Sequence, residues 1–512
     1  MTSTTSLPSV TTKTVSRPAP NGMGRGLFAT TNINPGEDVV HIKTSFVAVL
    51  NSLSLHVVCA GCFGKRSTDK LRDFESQALK ACAGCRVVKY CDRACQSKDW
   101  KAGHSFECPI FKRLQPRVLP INARAILRIV ARIARNKYDS EELKMFEGLQ
   151  SHMKEFAATG QLDRMTLTAA AVKTYSGTAV DEAKIANYAA ILDTNGFNLN
   201  TFTYDLIGLY LHPYVALINH SCDYNSIVGF EGEELYLKAM RPIKKGEQIF
   251  IQYIDTTAPR DVRRSELKQR YFFDCQCTKC ANESETLAGG FLSTPKDMEA
   301  IRVAEQEARK LLDDSTLTES DVNLHGSIEK LEAAMRRLRE TGVWPLTRQP
   351  YATCRDELIA TAMLAGRFTL AFIHAAIRFM RVDPFIYDKN HPVRQVHAWS
   401  LVETMETFLE QGFVQSDPKD PVRVEDFQLD FLYILWAILA ELVNTQSESC
   451  TMLSFKRLAG SHFVDIHNQI KTDRGVDLTN NRGLLYAELQ KLQGFVHKAL
   501  EKEPTGPTAP GR

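Results

Sequence analysis

The chain has 512 residues, of which 44% are hydrophobic and 24% charged, a composition ordinary for a globular protein. Its length is enough for about three or four domains. The formal net charge of +3 is too small to indicate nucleic-acid binding through charge alone. No apolar run reaches the roughly 18 to 20 residues that cross a bilayer, and the best, residues 431–443, is interrupted by Glu441. These features argue against a membrane protein and against a strongly basic nucleic-acid-binding protein.

The first residues lack the charged, apolar and small-residue zones of a secretory signal. They are rich in Ser and Thr and contain no acidic residue before Glu37, a faint similarity to a transit peptide, but no Arg-rich amphipathic helix accompanies them. We therefore expect residues 1–19 to form a disordered tail.

A glycine-rich turn follows, with Gly24-Arg25-Gly26 at its centre. Alternating apolar runs at residues 39–42 and 46–49, separated by turns such as Asn34-Pro35-Gly36, predict short strands. Taken alone, Gly-x-Gly is equally typical of a hairpin turn.

Residues 59–108 contain two Cys-x-x-Cys pairs and two further pairs of ligands, enough for two closed tetrahedral zinc sites. Unliganded buried cysteines are a poor alternative, because this segment has too few large apolar side chains to fold without metal. The spacing does not decide which ligands share a metal. The eight candidates are Cys59, Cys62, Cys82, Cys85, Cys91, Cys95, His104 and Cys108.

Basic residues outnumber acidic ones in the same segment. This excess could contact nucleic acid, but a solvated basic face is the commoner explanation. Two of the 13 cysteines, Cys354 and Cys450, lie outside any cluster. The cysteine pattern therefore predicts reduced thiolates in an intracellular protein and not a disulfide framework.

Residues 109–195 have apolar spacing typical of helices. An apolar run then leads into Asn219-His220-Ser221-Cys222, four polar residues that each need a partner. A polar turn after a strand is one interpretation of this tetrapeptide. A base and nucleophile pair, His220 with Cys222, is another, weakened by the absence of a third group to orient it.

Tyr253 ends a run of alternating apolar residues. Considered without its neighbours, it would be interpreted as a half-buried residue at the end of a strand. Downstream, Cys275-x-Cys277-x-x-Cys280 supplies three zinc ligands, one short of a closed site. Residues 295–500 then show long helical stretches separated by turn signals, without a clean 34-residue repeat.

Four pieces in this order resemble a SET-domain lysine methyltransferase: Gly24-Arg25-Gly26, Asn219 to Cys222, Gly246 to Tyr253, and Tyr271 to Cys280. The eight-ligand segment resembles a MYND finger, and a SET domain split by a MYND finger resembles the SMYD family. The resemblance implies an α+β protein: a SET β-fold with a pseudoknot, an inserted double-zinc MYND finger and a helical insert, followed by an all-α C-terminal array. The implied divisions are 1–19 disordered tail, 20–58 N-terminal SET part, 59–108 MYND finger, 109–195 helical insert, 196–257 SET core, 258–282 post-SET zinc segment, 295–500 helical (TPR-like) domain and 501–512 disordered tail.

The resemblance also implies S-adenosylmethionine as cofactor and three structural zinc ions. It pairs Cys59, Cys62, Cys91 and Cys95 on one zinc, Cys82, Cys85, His104 and Cys108 on a second, and Cys222, Cys275, Cys277 and Cys280 on a third. It makes Tyr253 and Tyr271 catalytic, and Phe197 with Tyr271 the walls of a lysine channel. The cofactor-binding residues that it implies are Gly24, Arg25, Gly26, His152, Asn195, Asn219, His220, Tyr253 and Phe273.

The implied activity is methyl transfer to a lysine of a histone or non-histone protein, in nucleus and cytoplasm, with proline-rich peptides as further partners of the MYND finger. Two departures from the family pattern, Tyr224 in place of proline and Gln248 in place of an acidic residue, leave a weakly active or inactive scaffold as the alternative. The near-balanced charge and the type of finger argue against sequence-specific DNA binding.

Overall fold

The computed structural model describes residues 9–65, 79–283, 295–315, 323–411 and 416–503, the side chains of residues 295–298 excepted. The chain divides into two compact units. The first comprises Met1–Ile254, Arg264–Thr278 and Met452–Phe455, and the second comprises Asp255–Arg263, Lys279–Thr451 and Lys456–Arg512. Among the described residues, none of the helices is both long and apolar enough to cross a membrane. The predicted α+β class is confirmed, since the strands lie in the first unit while the second is helical.

Short strands form the β part of the first unit. A four-stranded sheet has the order β1-β4-β12-β11 and a three-stranded sheet the order β5-β9-β8, with smaller pairs β2-β3, β6-β7 and the parallel β10-β13. The strands are β1 Val10–Thr12, β2 Thr14–Pro18, β3 Arg25–Ala29, β4 Asp38–Ile42, β5 Val47–Leu50, β6 Lys80–Ala81, β7 Lys89–Tyr90, β8 Phe197–Asn200, β9 Leu206–Leu211, β10 Asn219–His220, β11 Ser226–Glu231, β12 Glu234–Ala239 and β13 Phe250–Ile251.

The expectation of a disordered tail over residues 1–19 is wrong from residue 10 onward. Strand β1 pairs with β4, placing Val10 opposite Ile42, and β2 pairs with β3, placing Val15 opposite Phe28. Val and Thr favour extended backbone. Strand β1 gains its ladder partner from β4, distant in sequence, whereas β2 pairs with the nearby β3, with Pro18 opposite Arg25. The Ser- and Thr-rich composition of the segment obscured this. Residues 1–8 lie outside the described residues.

Helices surround the zinc-ligand segment and fill the insert that follows it. α3 is the best buried, with every residue from Ala123 to Ala131 inside the core. Asp139 and Asp181 cap α4 and α7 by accepting hydrogen bonds from backbone N–H groups of the first turn. The helices are α1 Arg93–Asp99, α2 Ser105–Leu114, α3 Ile121–Ala134, α4 Ser140–Glu147, α5 Met153–Ala158, α6 Leu162–Ser176, α7 Glu182–Asn195, α8 Arg260–Tyr271 and α9 Thr278–Asn282.

The helices of the second unit pack mostly against their neighbours in sequence, such as α10 on α11, α11 on α12 and α12 on α13. Two of these helices, Tyr351–Leu364 and Phe368–Ile377, are separated because the chain turns at Gly366 with a φ of +69°. The helices are α10 Pro295–Ser315, α11 Leu324–Arg339, α12 Tyr351–Leu364, α13 Phe368–Ile377, α14 Asp383–Ile386, α15 Pro392–Glu410, α16 Phe431–Asn444, α17 Leu453–Arg474 and α18 Arg482–Lys502.

The predicted boundary of the C-terminal tail, residues 501–512, begins too early. Helix α18 runs to Lys502, and Glu503 pairs with the fully buried Arg355 at 2.8 Å while accepting a hydrogen bond from the Tyr351 hydroxyl at 2.6 Å. A carboxylate so paired is tied into the helical unit. Residues 504–512 lie outside the described residues.

Candidate active site and metal centres

The first metal cluster joins Cys59, Cys62, Cys91 and Cys95, whose sulfur atoms all lie within 4.8 Å of one another. A hydrogen bond from Cys62 lowers the pKa of Cys59 to about 5, which favours the thiolate form that binds metal. A Cβ on Gly61 would lie 2.3 Å from the Cys95 carbonyl oxygen, so this knuckle requires glycine. The four ligands fit a closed structural zinc site.

The second cluster joins Cys82, Cys85, His104 and Cys108, again within 4.8 Å. His104 Nε2 lies 3.4 Å from Cys82 Sγ, and a Cβ on Gly84 would lie 2.7 Å from Cys108 Sγ. Three sulfurs and one imidazole are a donor set that suits tetrahedral zinc. The two sets interleave along the chain, as the family resemblance implies.

A buried ionic network lies beside the second cluster. Arg128 of α3 donates two hydrogen bonds to Glu107, at 2.7 and 2.6 Å, and lies 3.1 Å from Asp99. It also donates to the Ala48 carbonyl of β5 at 3.2 Å. Glu107 in turn lies 3.7 Å from Nδ1 of His104. One guanidinium therefore links the zinc-ligand segment, the helical insert and the β-sheet, a connection that spacing in the sequence did not reveal.

The third cluster joins Cys222 with Cys275, Cys277 and Cys280 within 4.8 Å, which supplies the fourth ligand that the downstream motif lacked. A hydrogen bond from Cys222 lowers the pKa of Cys275 to about 3. The alternative pairing of His220 and Cys222 as base and nucleophile is disfavoured, because the Cys222 sulfur belongs to a four-cysteine cluster. The three clusters confirm the prediction of three sites able to hold zinc.

The glycine-rich turn forms a cradle against strand β10. Gly24 has a left-handed φ of +70°, and a Cβ on Gly26 would lie 2.6 Å from Gln248 Nε2 and 3.1 Å from Asn219 Nδ2. The Asn219 amide donates to the Arg25 carbonyl at 3.0 Å. Such a bare backbone allows a ligand to approach closely, as the methionine part of the implied cofactor requires.

The Arg25 guanidinium points away from this cradle, donating to the side chain and carbonyl of Ser16 at 3.1 and 3.2 Å. Any contact of Arg25 with a ligand in the cradle would therefore come from its backbone. Gln248 Nε2 is buried and has no hydrogen-bond partner among the described residues. The cradle thus contains a polar donor without a partner among the described residues, next to the buried Gly26, whose side-chain position is filled by Gln248 and Asn219.

His152, one of the implied cofactor-binding residues, lies between two helices and belongs to neither. Helix α4 ends at Glu147, and His152 has a left-handed φ of 51° just before α5. Asn195 is the last residue of α7, and its amide donates to the carbonyls of Gln150 at 3.0 Å and Ile191 at 2.9 Å. The left-handed backbone of His152 lies outside the right-handed helical region, so it separates α4 from α5.

Gln150 is a site residue that the sequence did not single out. Its Nε2 would lie 3.7 Å from a Cβ on Gly24, while its carbonyl accepts from Asn195. Gln150 therefore connects the helical insert to the glycine cradle. No motif marks it, since a lone Gln between two helices is usually a surface residue.

Four aromatic rings converge at the end of β13. The Tyr253 ring lies 4.9 Å from the ring of Tyr271, 5.3 Å from that of His220 and 6.5 Å from that of Phe273, measured between centroids. The Tyr253 hydroxyl donates to the Ile218 carbonyl. Burial raises the pKa of Tyr253 well above its usual value, with a further contribution from Tyr271. The Tyr253 side chain is therefore a neutral hydroxyl at physiological pH.

Phe272 separates Tyr271 from Phe273 and points the other way. Its backbone has a left-handed φ of 62°, and its ring packs 5.0 Å from that of Phe156 in the helical insert. This conformation turns Tyr271 and Phe273 toward Tyr253 together. The sequence did not single out Phe272, because its role depends on packing against an element far away in the chain.

Phe197 lies in β8 opposite Tyr210. Within the described ranges, no ring contact joins Phe197 to Tyr253 or Tyr271. The structure thus brings together the glycine cradle, Asn219, His220 and the two tyrosines, while Phe197, the second channel wall that the resemblance implies, packs against the same hydrophobic core as Tyr253.

Comparison with known proteins shows which proteins the first unit resembles. The family model described as SET domain matches residues 24–254. The chain is 30% identical to the SET domain and MYND-type zinc finger protein 6 of Schizosaccharomyces pombe, over 51% of this chain and 51% of that protein. It is 30% identical to the human histone-lysine N-methyltransferase SMYD3, over 51% of this chain and 60% of that protein. The chicken N-lysine methyltransferase SMYD2 is 29% identical, over 57% of this chain and 66% of that protein.

The chain thus spans about half the length of the first curated relatives that it matches. Among solved structures, Rubisco LSMT bound to AdoMet covers 89% of this chain and 89% of its own, at 13% identity and a TM-score of 0.25. A likeness this weak carries no argument about ligand or mechanism.

Proposed function

This chain belongs to the SMYD family, in which a MYND-type zinc finger interrupts a SET domain, and from that premise we propose that it is a protein-lysine N-methyltransferase. The observation that carries the proposal is the convergence of Tyr253, Tyr271, His220 and Phe273 at the end of β13. Asn219, next to His220 in β10, connects this aromatic group to the glycine cradle.

We assign S-adenosylmethionine to the cradle, and its sulfonium would supply the methyl group. The backbone of residues 24–26 and the side chain of Asn219 would hold its amino acid part. The Phe273 ring would lie against the adenine, because an aromatic face suits a flat heterocycle. The buried donor Gln248 Nε2 beside Gly26, which has no hydrogen-bond partner among the described residues, supports this fit.

The lysine amine must be neutral before it can accept a methyl group. With a reference pKa near 10.4, deprotonation at pH 7.4 costs roughly 4 kcal/mol. A dry channel lowers this cost because burial disfavours the charged ammonium. Tyr271, whose hydroxyl donates to the Tyr253 carbonyl at 3.2 Å, forms a wall that excludes water there.

Tyr253 aligns the amine but does not remove its proton. Since burial keeps its hydroxyl neutral, no phenolate is present to act as a base. Its single proton is donated to the Ile218 carbonyl, so toward any other group the hydroxyl oxygen can only accept a hydrogen bond. Alignment of this kind accounts for several kcal/mol of barrier reduction. Zinc bound at the three clusters would be structural, because each cluster supplies four protein ligands and would leave no position open for water or substrate.

As partners we propose a lysine of a histone or non-histone protein, proline-rich peptides at the zinc finger, and a distribution between nucleus and cytoplasm. The similarity to histone-lysine and N-lysine methyltransferases supports the protein substrate. The rival function is a scaffold that keeps the fold but transfers no methyl group.

The test is transfer of labelled methyl groups from S-adenosylmethionine into a whole-cell protein extract. The native protein is expected to label discrete bands, and Tyr253→Phe to lose that labelling. Tyr236→Phe is the matched control, since the Tyr236 hydroxyl bonds to Glu234 on β12, outside the aromatic group. Zinc content and Tm are measured on all three proteins. Absence of transfer by a folded native protein with three zinc ions would favour the scaffold.

A further inference from the structure

The side chain of His220 uses both of its ring nitrogens inside the protein. It is only 6% exposed. Its Nδ1 accepts a hydrogen bond from the backbone N–H of Tyr253 at 3.0 Å, and its Nε2 lies 3.3 Å from the sulfur of Cys222. The imidazole therefore lies between a ligand of the third metal cluster and the tyrosine proposed to align the reaction.

These contacts decide where the proton of His220 lies. A backbone N–H can only donate, so Nδ1 must be the unprotonated acceptor. The proton then sits on Nε2, which donates to the Cys222 sulfur. The ring is thus held in one tautomer by a partner on each side. Neither nitrogen is left to bond a cofactor without breaking one of these contacts.

The hydrogen bond to Tyr253 lies where the strand pairing stops. Strands β10 and β13 pair in parallel with His220 opposite Ile251, and the last ladder bond runs from Ser221 N–H to the Ile251 carbonyl. Tyr253 comes two residues later, beyond β13, and the imidazole of His220 accepts its N–H in place of a strand partner. The hydroxyl of the same tyrosine donates to the Ile218 carbonyl. The segment 218–220 thus holds Tyr253 at both its backbone and its hydroxyl.

We propose that His220 is a positioning residue, which transmits the geometry of the third metal cluster to Tyr253 and does so without its side chain touching the cofactor. The inference rests on the proposed function, because it assumes that Tyr253 aligns methyl transfer. It predicts that the cluster acts at a distance on the orientation of this tyrosine. A direct cofactor-binding role of the imidazole is the competing assignment.

Two substitutions of His220 each remove the contact of one ring nitrogen and keep that of the other. In His220→Asn the amide oxygen can occupy the position of Nδ1 and accept from Tyr253, while the contact with Cys222 is lost. In His220→Gln the longer amide reaches the position of Nε2 and keeps the sulfur contact, while the Tyr253 N–H loses its acceptor. His212→Gln is the matched control, since buried His212 accepts the backbone N–H of Tyr214 in the same way, at 3.3 Å.

The first readout is independent of activity. The full-length, zinc-loaded protein is labelled with ¹⁵N-tyrosine, and the amide signal of Tyr253 is assigned by its loss in Tyr253→Phe. The signal is expected to shift in His220→Gln and to stay near its native position in His220→Asn and His212→Gln. Zinc release to a chelator is expected to be faster in His220→Asn than in His220→Gln. An unchanged Tyr253 signal in His220→Gln would overturn the proposal.

The second readout is kinetic. In His220→Gln, kcat is expected to fall about tenfold or more, since small misplacements of aligning groups have large effects. The dissociation constant of S-adenosylmethionine should change less than about threefold, with His220→Asn restoring most of kcat. A large loss of cofactor affinity in both variants, with kcat at saturation retained, would show direct binding and refute the positioning role. If the native protein transfers no methyl group, the proposed function fails, but the amide and zinc readouts still decide whether His220 couples the cluster to Tyr253.

Discussion

Replacing Arg128 with methionine should loosen the connection between the second metal cluster and the β-sheet. The methionine keeps the apolar stem, which packs close to Gly103, where a Cβ would lie 3.1 Å from Arg128 Cγ. The substitution removes the charge that Glu107 and Asp99 share at 2.6 and 3.1 Å. Both carboxylates are almost fully buried, so each is left without its cation.

The size of the effect follows from the uncompensated charge. Breaking a buried ion pair by removing one partner costs about 3–5 kcal/mol. The free-energy cost is similar if the Glu107 carboxylate becomes neutral by binding a proton, since protonating an ordinary glutamate at pH 7 costs roughly 4 kcal/mol. A free-energy change of about 1.4 kcal/mol corresponds to a factor of ten in an equilibrium constant. The equilibrium population of the locally opened state should therefore rise by about two to four orders of magnitude.

Hydrogen exchange measured by mass spectrometry, on peptides that cover α3 and β5, tests this prediction. Exchange should accelerate in Arg128→Met and recover in part when Glu107→Gln is added, because the second change removes one stranded charge. Arg124→Met on the same helix is the control, since Arg124 forms no salt bridge in the described part of the chain. Exchange of α3 and β5 within tenfold of the native rate in Arg128→Met would refute the reasoning.

Three further outcomes are expected. Burial lowers the pKa of His374 to about 3, so below about pH 6.5 the unfolded chain binds a proton that the folded chain does not, and stability should fall by up to about 1.4 kcal/mol per pH unit. Urea unfolding followed by circular dichroism should show this slope flattened in His374→Asn, and an equal slope in both proteins would contradict it. Metal analysis should find three zinc ions per chain, and strong chelation should lower the Tm, whereas Cys354→Ser, which changes a cysteine outside every cluster, should leave the zinc count at three. Gly26→Ala should weaken binding of S-adenosylmethionine by about tenfold or more, because the new methyl group would meet Gln248 Nε2 at 2.6 Å, while Gly460→Ala, with open space around it, should bind like the native protein in calorimetry.

Local spacing in the sequence was sufficient for the zinc ligands and for much of the helical content. Cys-x-x-Cys pairs indicate a metal site, because two thiolates separated by two intervening residues can bind one metal. Apolar spacing likewise predicted the helices of the insert and of the C-terminal unit, since one face of each must be buried. The same reasoning missed β1, which pairs with the distant β4, and β2, which pairs with the nearby β3, because the Ser- and Thr-rich composition of this segment is typical of a disordered tail.

What the sequence by itself determined is which chemical groups are present: twelve metal ligands, a glycine cradle, and tyrosines near a polar tetrapeptide. Only the tertiary structure decided how they meet. The left-handed backbone of Phe272 turns its two neighbours toward Tyr253, and Gln150 reaches the cradle from the helical insert. The tautomer of His220 depends on a backbone N–H 33 residues away in the chain. Such contacts depend on strand register and packing, which bring distant residues together and which no local pattern contains.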